Sequence, residues 1–314
     1  CYITPMGFDV IIPTYKVAPE IIQQALESVQ KQTLDNWHCW IVDGTPTDYQ
    51  GYDEFRAVVD SFTTSDKFSY LRQSGTGVSQ ARNEAISLGD ATYIATLDGD
   101  DFWYPEHLES MTEAIVASES EPLPTALWWA GADAHILIKS IKTDETYTHE
   151  GVLGWFGDYV KIRPEDHHFY LRTHAVIPSN SVFLRSRFEA VEGYNETLQI
   201  GEDTDLYLRM IGNPLTLGFG KTFRGYQFDA VSGYHGCGPW QTTQMGGQTS
   251  AADGRSSEEI KAEFVKQTLT SLRASITMED KPAEVSSEYW QFLIDSIYAF
   301  QNTRESAIME SAHL

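Results

Sequence analysis

Apolar positions in the first third of the chain switch between short continuous runs and helical spacing, and that switching predicts strands interleaved with helices. Asp9-Val10-Ile11-Ile12-Pro13 reads as a buried strand that stops at Pro13. From Pro19 onward Ile22, Leu26 and Val29 recur at helical spacing, and a proline suits a first helical turn. His38 to Val42 reads as a second strand ending at Asp43-Gly44, Tyr52 to Phe62 as a helix, and Phe68 to Leu71 as a short third strand. The turn Gly75-Thr76-Gly77 leads into a helix with Ala81, Ala85 and Leu88 on one face. Tyr93 to Leu97 is the next strand, and Pro105 opens the helix after it. This order predicts an α/β fold with a mostly parallel central sheet flanked by helices.

The second half is less regular. Leu127 to Ile138 is apolar enough for one or two strands, and Ala175 to Leu184 is a strand broken at Pro178. Val191 to Ile211 contains a turn, an acidic pair and an amphipathic helix from Leu206 to Met210. Gly233 to Gly254 is rich in Gly, Gln, Thr and Ser, the composition of a long loop that is either a functional lid or disordered. Ser256 to Ser275 and Ser287 to Met309 have amphipathic helical spacing, the first opened by a Ser256-x-x-Glu259 capping box. The expected organisation is one α/β domain over residues 1–235, divided at about 110, then a flexible Gly-rich loop over 236–255 and a helical extension over 256–314.

Composition narrows the function classes. With 314 residues, 41% hydrophobic and 12% aromatic, the chain is long and apolar enough to bury a large core. No apolar run approaches the ~18 residues of a membrane span, and no signal peptide is visible at the N-terminus. Cys1, Cys39 and Cys237 are too few and too scattered for a disulfide framework or a zinc site, so a reducing, cytoplasmic setting is expected. A net charge of −23 disfavours nucleic acid and anionic lipid as partners.

The chemistry concentrates at strand ends. Ile94-Ala95-Thr96-Leu97 delivers Asp98, Asp100 and Asp101 onto one loop, where like charges repel unless a cation or solvent separates them. Such an oxygen-rich set suits Mg²⁺ or Mn²⁺, and the plainer alternative is a solvated acidic turn. An EF-hand is excluded, because its sixth position needs Gly and here holds Trp103. The Gly-x-Gly turn argues against a dinucleotide site, since Gln80 stands where the third glycine of that fingerprint belongs. Asp43 closes the second strand, at the end of the sheet where open α/β folds bind ligands. Arg82-Asn83 lies on the first turns of the helix after the Gly turn, placed either for phosphate or for a structural ion pair with an acidic loop. In Gly201-Glu202-Asp203-Thr204-Asp205 the acids either cap a helix or supply a proton acceptor. His235 lies in the Gly-rich stretch near Trp240, as a bystander or a late metal or diphosphate contact.

Taken in order, these segments resemble the family-2 glycosyltransferases, which have the GT-A fold. The resemblance rests on Asp9-Val10-Ile11-Ile12-Pro13-Thr14-Tyr15, Ile41-Val42-Asp43-Gly44-Thr45, Gly77 to Ala85, Leu97-Asp98-Gly99-Asp100-Asp101, Gly193-Tyr194-Asn195-Glu196 and Gly201 to Leu206. It is dense over about 8–110, the nucleotide-binding half, and resumes over about 175–212 in the acceptor half. It implies transfer of a sugar from a nucleotide-diphosphate donor, UDP-sugar favoured, with inversion and with Mn²⁺ or Mg²⁺ as cofactor. Asp98 and Asp100 would form the DxD pair, Asp100 the closer metal ligand and Asp98 nearer the ribose or donor sugar. Pro13, Tyr15 and Asp43 would line the nucleobase pocket, Arg82 would approach the donor, Asp203 would be the catalytic base and His235 a further metal contact. One departure is visible: many relatives carry two Asp before the Gly of the second motif, and this chain has Val42-Asp43-Gly44.

Implied acceptors are a glycan, a lipid-linked sugar or another hydroxyl. Trp155, Phe156 and Trp240 offer an apolar platform for a sugar ring, or core packing. Two other functions compete: a sugar- or nucleotide-binding protein of the same fold without turnover, and a sugar-nucleotidyltransferase. The second needs a Gly-rich, basic loop after the first strand, where this chain has Pro13-Thr14-Tyr15-Lys16.

Overall fold

Four parallel strands build the first half of the sheet. They are β1 (Phe8–Thr14), β2 (Trp37–Asp43), β3 (Phe68–Arg72) and β4 (Tyr93–Thr96), connected by helices α1 (Pro19–Gln30), α2 (Tyr52–Phe62) and α3 (Val78–Ile86). The computed structural model describes residues 7–120, 124–139, 146–153, 176, 178–198, 202–210 and 224–237. After β4 come β5 (Phe102–Trp103), α4 (His107–Ser118), β6 (Thr125–Lys139) and β7 (Thr146–Leu153). A 3-10 turn (Pro178–Asn180) then leads into β8 (Ser181–Leu184), α5 (Arg185–Ala190), α6 (Glu202–Met210) and β9 (Arg224–Cys237).

The sheet order is β3-β2-β1-β4-β8-β6-β9-β5, with β7 paired to β6. The chain steps outward from β1 to β3 and then returns to place β4 on the other side of β1. The strand order therefore reverses at β1 and β4, and the space past their carboxyl ends is the usual ligand position in an open α/β sheet. Beyond β4 the sheet is mixed: β8 is antiparallel to both β4 and β6, and β9 runs parallel to β6.

Both faces of β1 are buried, so its side chains divide between two cores. Phe8, Val10 and Ile12 pack with Ile22, Leu26 and Val29 of α1, Phe55 and Val59 of α2, and Leu108 and Met111 of α4. Ile11 faces the other way, into a core shared with Ala81, Ala85 and Ile86 of α3, Phe188 of α5 and Leu206, Tyr207 and Met210 of α6. Helix α1 starts at Pro19, and α2 occupies the span its pattern predicts.

Several expectations need correction. Pro13 does not stop β1; it pairs in register with Val42. The Ile11 carbonyl accepts the Leu97 N–H at 3.0 Å, so Pro13, two residues on, faces β4. The next rung would need its missing N–H, so the pairing with β4 ends there while β1 runs on against β2. Leu88 lies past the end of α3 and is exposed, its place in the core taken by Ile86. Leu127 to Ile138 belongs to the single strand β6, and α6 begins at Glu202, not after Thr204. Residues 233–237, expected in the Gly-rich loop, form the end of β9. β-branching and aromatic content alone gave no hint of so short a strand as β5. The remainder of the loop, the extension over 256–314, and Trp155, Phe156 and Trp240 lie outside the described residues. No helix among the described residues is long and apolar enough to cross a membrane.

The two halves are fastened at the amino ends of the strands by a buried carboxylate. Asp9 accepts from Trp40 Nε1 at 2.9 Å, the Ala91 N–H at 2.9 Å and Arg185 Nη2 at 2.6 Å. Arg185 also donates to the carbonyls of Ala91 and Ile86 at 2.6 and 2.7 Å. Replacing one member of a buried ion pair leaves the other charge uncompensated, at a cost of about 3 kcal/mol or more. Arg185→Ala is therefore expected to lower the urea midpoint by that free energy; a midpoint within experimental scatter of wild type would contradict it.

Candidate active site

The acidic loop folds back over the end of β1. A Cβ added at Gly99 would stand 3.2 Å from Thr14 Cγ2 and 3.3 Å from the Pro13 carbonyl oxygen. A side chain there would have to push its neighbours back by a few tenths of an ångström, which favours the small residue between two acids. Each of the three carboxylates has a different environment. Asp101 is buried, and its Oδ2 accepts a hydrogen bond from the Ser179 hydroxyl. Asp98 is 28% exposed and accepts from Arg82 Nη2 at 2.7 Å. Asp100 is half-buried at the apex.

Arg82 is the hub of this corner. Its side chain is 2% exposed, and its Nη1 donates to Glu202 Oε1 at 2.8 Å while Nη2 holds Asp98. Burial pulls the guanidinium pKa down, but Asp98, Tyr194 and Glu202 outweigh it, and the net shift is well above the ordinary value. Arg82 is thus charged at every accessible pH. Of the two placements open to it on sequence, the geometry realises the ion pair, and it does so with both acidic segments at once. The Tyr194 ring lies beneath the guanidinium, 5.4 Å from centroid to Cζ.

Asn83, the next residue of α3, shapes the turn that carries Tyr194. Its amide nitrogen donates to the Tyr194 carbonyl at 3.0 Å and to Glu196 Oε1 at 2.9 Å, and its oxygen accepts the Tyr194 N–H at 2.9 Å. Gly193 has φ 72°, and a Cβ there would meet Asn83 Oδ1 at 2.8 Å. Both its dihedral and its contact call for glycine.

At the β2 end, Asp43 is fully buried and its acceptor positions are filled. Oδ1 accepts the Thr45 N–H at 2.8 Å and the Thr14 hydroxyl at 3.4 Å, and Oδ2 accepts the Tyr70 hydroxyl at 2.9 Å and Arg72 Nη1 at 2.5 Å. Pro13 is half-buried beside it, and Tyr15 is 51% exposed, its ring flanked by Lys16. Arg72, 40% exposed, carries the outward guanidinium of this cluster.

Asp203 lies in the first turn of α6, beside Glu202. The Tyr194 phenol lies in the field of Arg82, Glu202, Asp203 and Asp98, so these groups share one corner of the molecule. The backbone of His235 belongs to β9, which pairs Tyr234 with Phe102, immediately after the acidic loop. No group of three or more His, Cys, Asp or Glu among the described residues forms a protein-only metal site. Two carboxylates on one loop fit Mg²⁺ or Mn²⁺ nonetheless, since such ions keep waters and take substrate phosphate oxygens for the rest of their shell.

Sequence reasoning missed Ser179, Tyr70 and Arg72. Ser179 had no motif around it beyond a break at Pro178. Tyr70 and Arg72 alternate along β3 in a way that ordinary strand periodicity already explained.

Residues 9–121 match the model of glycosyl transferase family 2. The match spans 113 of the 314 residues, so it is this segment that is similar to family 2 glycosyl transferases. The succinoglycan biosynthesis protein ExoW of Rhizobium meliloti (strain 1021) is 29% identical over 147 residues, which are 44% of this chain and 44% of that protein. The chain thus matches less than half the length of that relative. Among solved structures, S. aureus TarS 1-349 with UDP-GlcNAc gives a TM-score of 0.58 at 14% identity, over 95% of this chain and 73% of that one. The mannosyltransferase PcManGT of Pyrobaculum calidifontis with GDP-Man and Mn²⁺ gives 0.50 at 14% identity, over 98% and 85%. The likeness to these structures is one of fold, a GT-A type arrangement with a mostly parallel sheet flanked by helices.

The corner around Arg82 also sets a pH dependence. Burial is the main cause that pushes the Tyr194 phenol above its usual 10.0, with Arg82 opposing and the nearby acids reinforcing. A folded value above the unfolded one favours the native state below pH ~10, and the contribution is lost as pH rises further. The Tyr194 hydroxyl has no hydrogen-bond partner among the described residues. Tyr194→Phe is therefore expected to leave stability at pH 7 within about 1 kcal/mol of wild type. It should also reduce the stability lost above pH ~10, measured by urea unfolding at both pH values. An unchanged alkaline loss would refute this.

Proposed function

We propose that this chain is an inverting, metal-dependent glycosyltransferase that moves a sugar from a nucleoside-diphosphate donor to an acceptor hydroxyl. One observation carries the reading: Arg82 joins the acids at the sheet's switch point to the Glu202-Asp203 pair, so donor-side and acceptor-side carboxylates meet at one crevice. The match of residues 9–121 to family 2 supports it.

Pro13, Tyr15 and Asp43 line the nucleobase side, with Asp43 acting through the ordered cluster it holds together. Asp98 lies toward the ribose or donor sugar, with Arg82 fixing its carboxylate. Asp100, Asp98 and His235 would hold the cation beside the diphosphate. When bound, Mn²⁺ or Mg²⁺ offsets the negative charge that gathers on the leaving diphosphate. Asp203 accepts the proton of the acceptor hydroxyl as its oxygen bonds to the anomeric carbon from the opposite face. The bond from that carbon to the diphosphate oxygen breaks, and its electron pair leaves with the nucleoside diphosphate. One displacement inverts the carbon, so no protein nucleophile is needed.

UDP-sugar is the donor to test first, because TarS holds UDP-GlcNAc on the same fold. The naming of ExoW as a succinoglycan biosynthesis protein supports a polysaccharide as the acceptor to test first.

Two variants test these roles. Asp203→Asn should lower transfer by about 10³-fold, within the span of general-base effects, while UDP affinity stays near wild type. Asp100→Ala should weaken UDP binding in Mn²⁺ and leave the weaker metal-free binding unchanged. Thermal shifts with a panel of nucleotide sugars, with Mn²⁺ and after EDTA, would measure both the cation requirement and the donor. Full transfer by Asp203→Asn would move the base elsewhere, and no stabilisation by any nucleotide would end the reading.

A further inference from the structure

We infer that Ser179 is a positioning residue for the cation-holding acids, and that Asp101 serves as its anchor and not as a third ligand. The inference rests on the glycosyltransferase reading above. Ser179 belongs to the 3-10 turn ahead of β8, far from the acidic loop in sequence, and is 1% exposed. Its hydroxyl accepts the Asp98 N–H at 3.0 Å and donates to Asp101 Oδ2. Its carbonyl accepts the Trp103 indole N–H. One residue thus grips the loop before, within and after the Asp100 apex. The turn is itself pinned, because the Pro178 carbonyl accepts from the hydroxyls of Thr96 at 2.6 Å and Ser181 at 2.8 Å. A carboxylate that is buried and engaged by a hydroxyl is withdrawn from the crevice. Asp101 therefore leaves Asp98 and Asp100 to face a cation, and Ser179 fixes the backbone from which both project. Groups that orient ligands from behind commonly govern metal affinity by 10–100-fold.

The full chain with UDP and Mn²⁺ provides the test. UDP binding is followed by calorimetry as Mn²⁺ is titrated, for wild type, Ser179→Ala and Ser181→Ala. Ser181 is a neighbouring buried hydroxyl that bonds Pro178, Tyr207 and Thr96 but none of Asp98, Asp101 and Trp103, and its removal leaves the shorter Thr96 bond that pins Pro178. Ser179→Ala should need roughly ten-fold more Mn²⁺ for half-maximal UDP binding, with metal-free UDP affinity unchanged. Ser181→Ala should follow the wild-type Mn²⁺ curve. Amide exchange, which needs no ligand, should quicken at Asp98 in Ser179→Ala alone. Quicker exchange with an unshifted Mn²⁺ curve overturns the positioning role and leaves the glycosyltransferase reading standing. An equal shift in Ser181→Ala overturns it as well, by making the effect one of general packing. Wild type that binds UDP no better with Mn²⁺ removes the reading on which the role depends, whatever the exchange rates.

Discussion

A guanidinium buried among carboxylates is the constraint around which this corner of the protein is arranged. Desolvating Arg82 is costly, and only two close acids and an aromatic face make it tolerable. Those acids come from the end of β4 and the start of α6, segments separated by about a third of the chain. The ion pairs therefore specify a tertiary arrangement as well as stabilise it. If α6 shifted by one turn, Glu202 would leave Arg82, and the buried guanidinium would keep Asp98 as its one close acid among those paired with it here.

The topology explains why such a hub belongs here. Because β4 returns to the far side of β1, the loops after both strands flank one crevice, and α3 directs its first turn toward it. Asn83 of the same helix bonds the turn that carries Tyr194, and Ser179 reaches the loop from the 3-10 turn ahead of β8. Two adjacent residues of one helix thus organise both halves of the site. Asp43 does comparable work at the β2 end, where its four hydrogen bonds convert a buried charge into a scaffold for Tyr70 and Arg72.

Most of the first half was legible from the sequence because its strands are buried on both faces and its helices repeat their apolar positions. The Ile22-Leu26-Val29 spacing fixed α1, and the end of the strand at Asp98 located the crevice. Pro13 misled because strand membership depends on which neighbour a missing N–H would face, and that is a property of the sheet. Leu88 misled because α3 ends before its apolar spacing does. β9 escaped notice because Gly- and Tyr-rich strands lack the alternation that a half-buried face imposes. The acids at Asp98, Asp100 and Asp203 were visible as candidates, whereas Ser179 was not: its importance lies wholly in contacts made across the fold.

The clasp between Asp9 and Arg185 bears on where this molecule can be divided. Residues 9–121 are the part that sequence comparison delimits as a unit, yet Arg185 and Glu202 both lie beyond it. A fragment trimmed to that boundary would keep Asp9 in its interior without its counter-charge, would leave Arg82 with Asp98 alone, and would bare the edge of β4 that β8 covers. The evolutionary module and the folding unit are therefore different objects here, and the second is the larger.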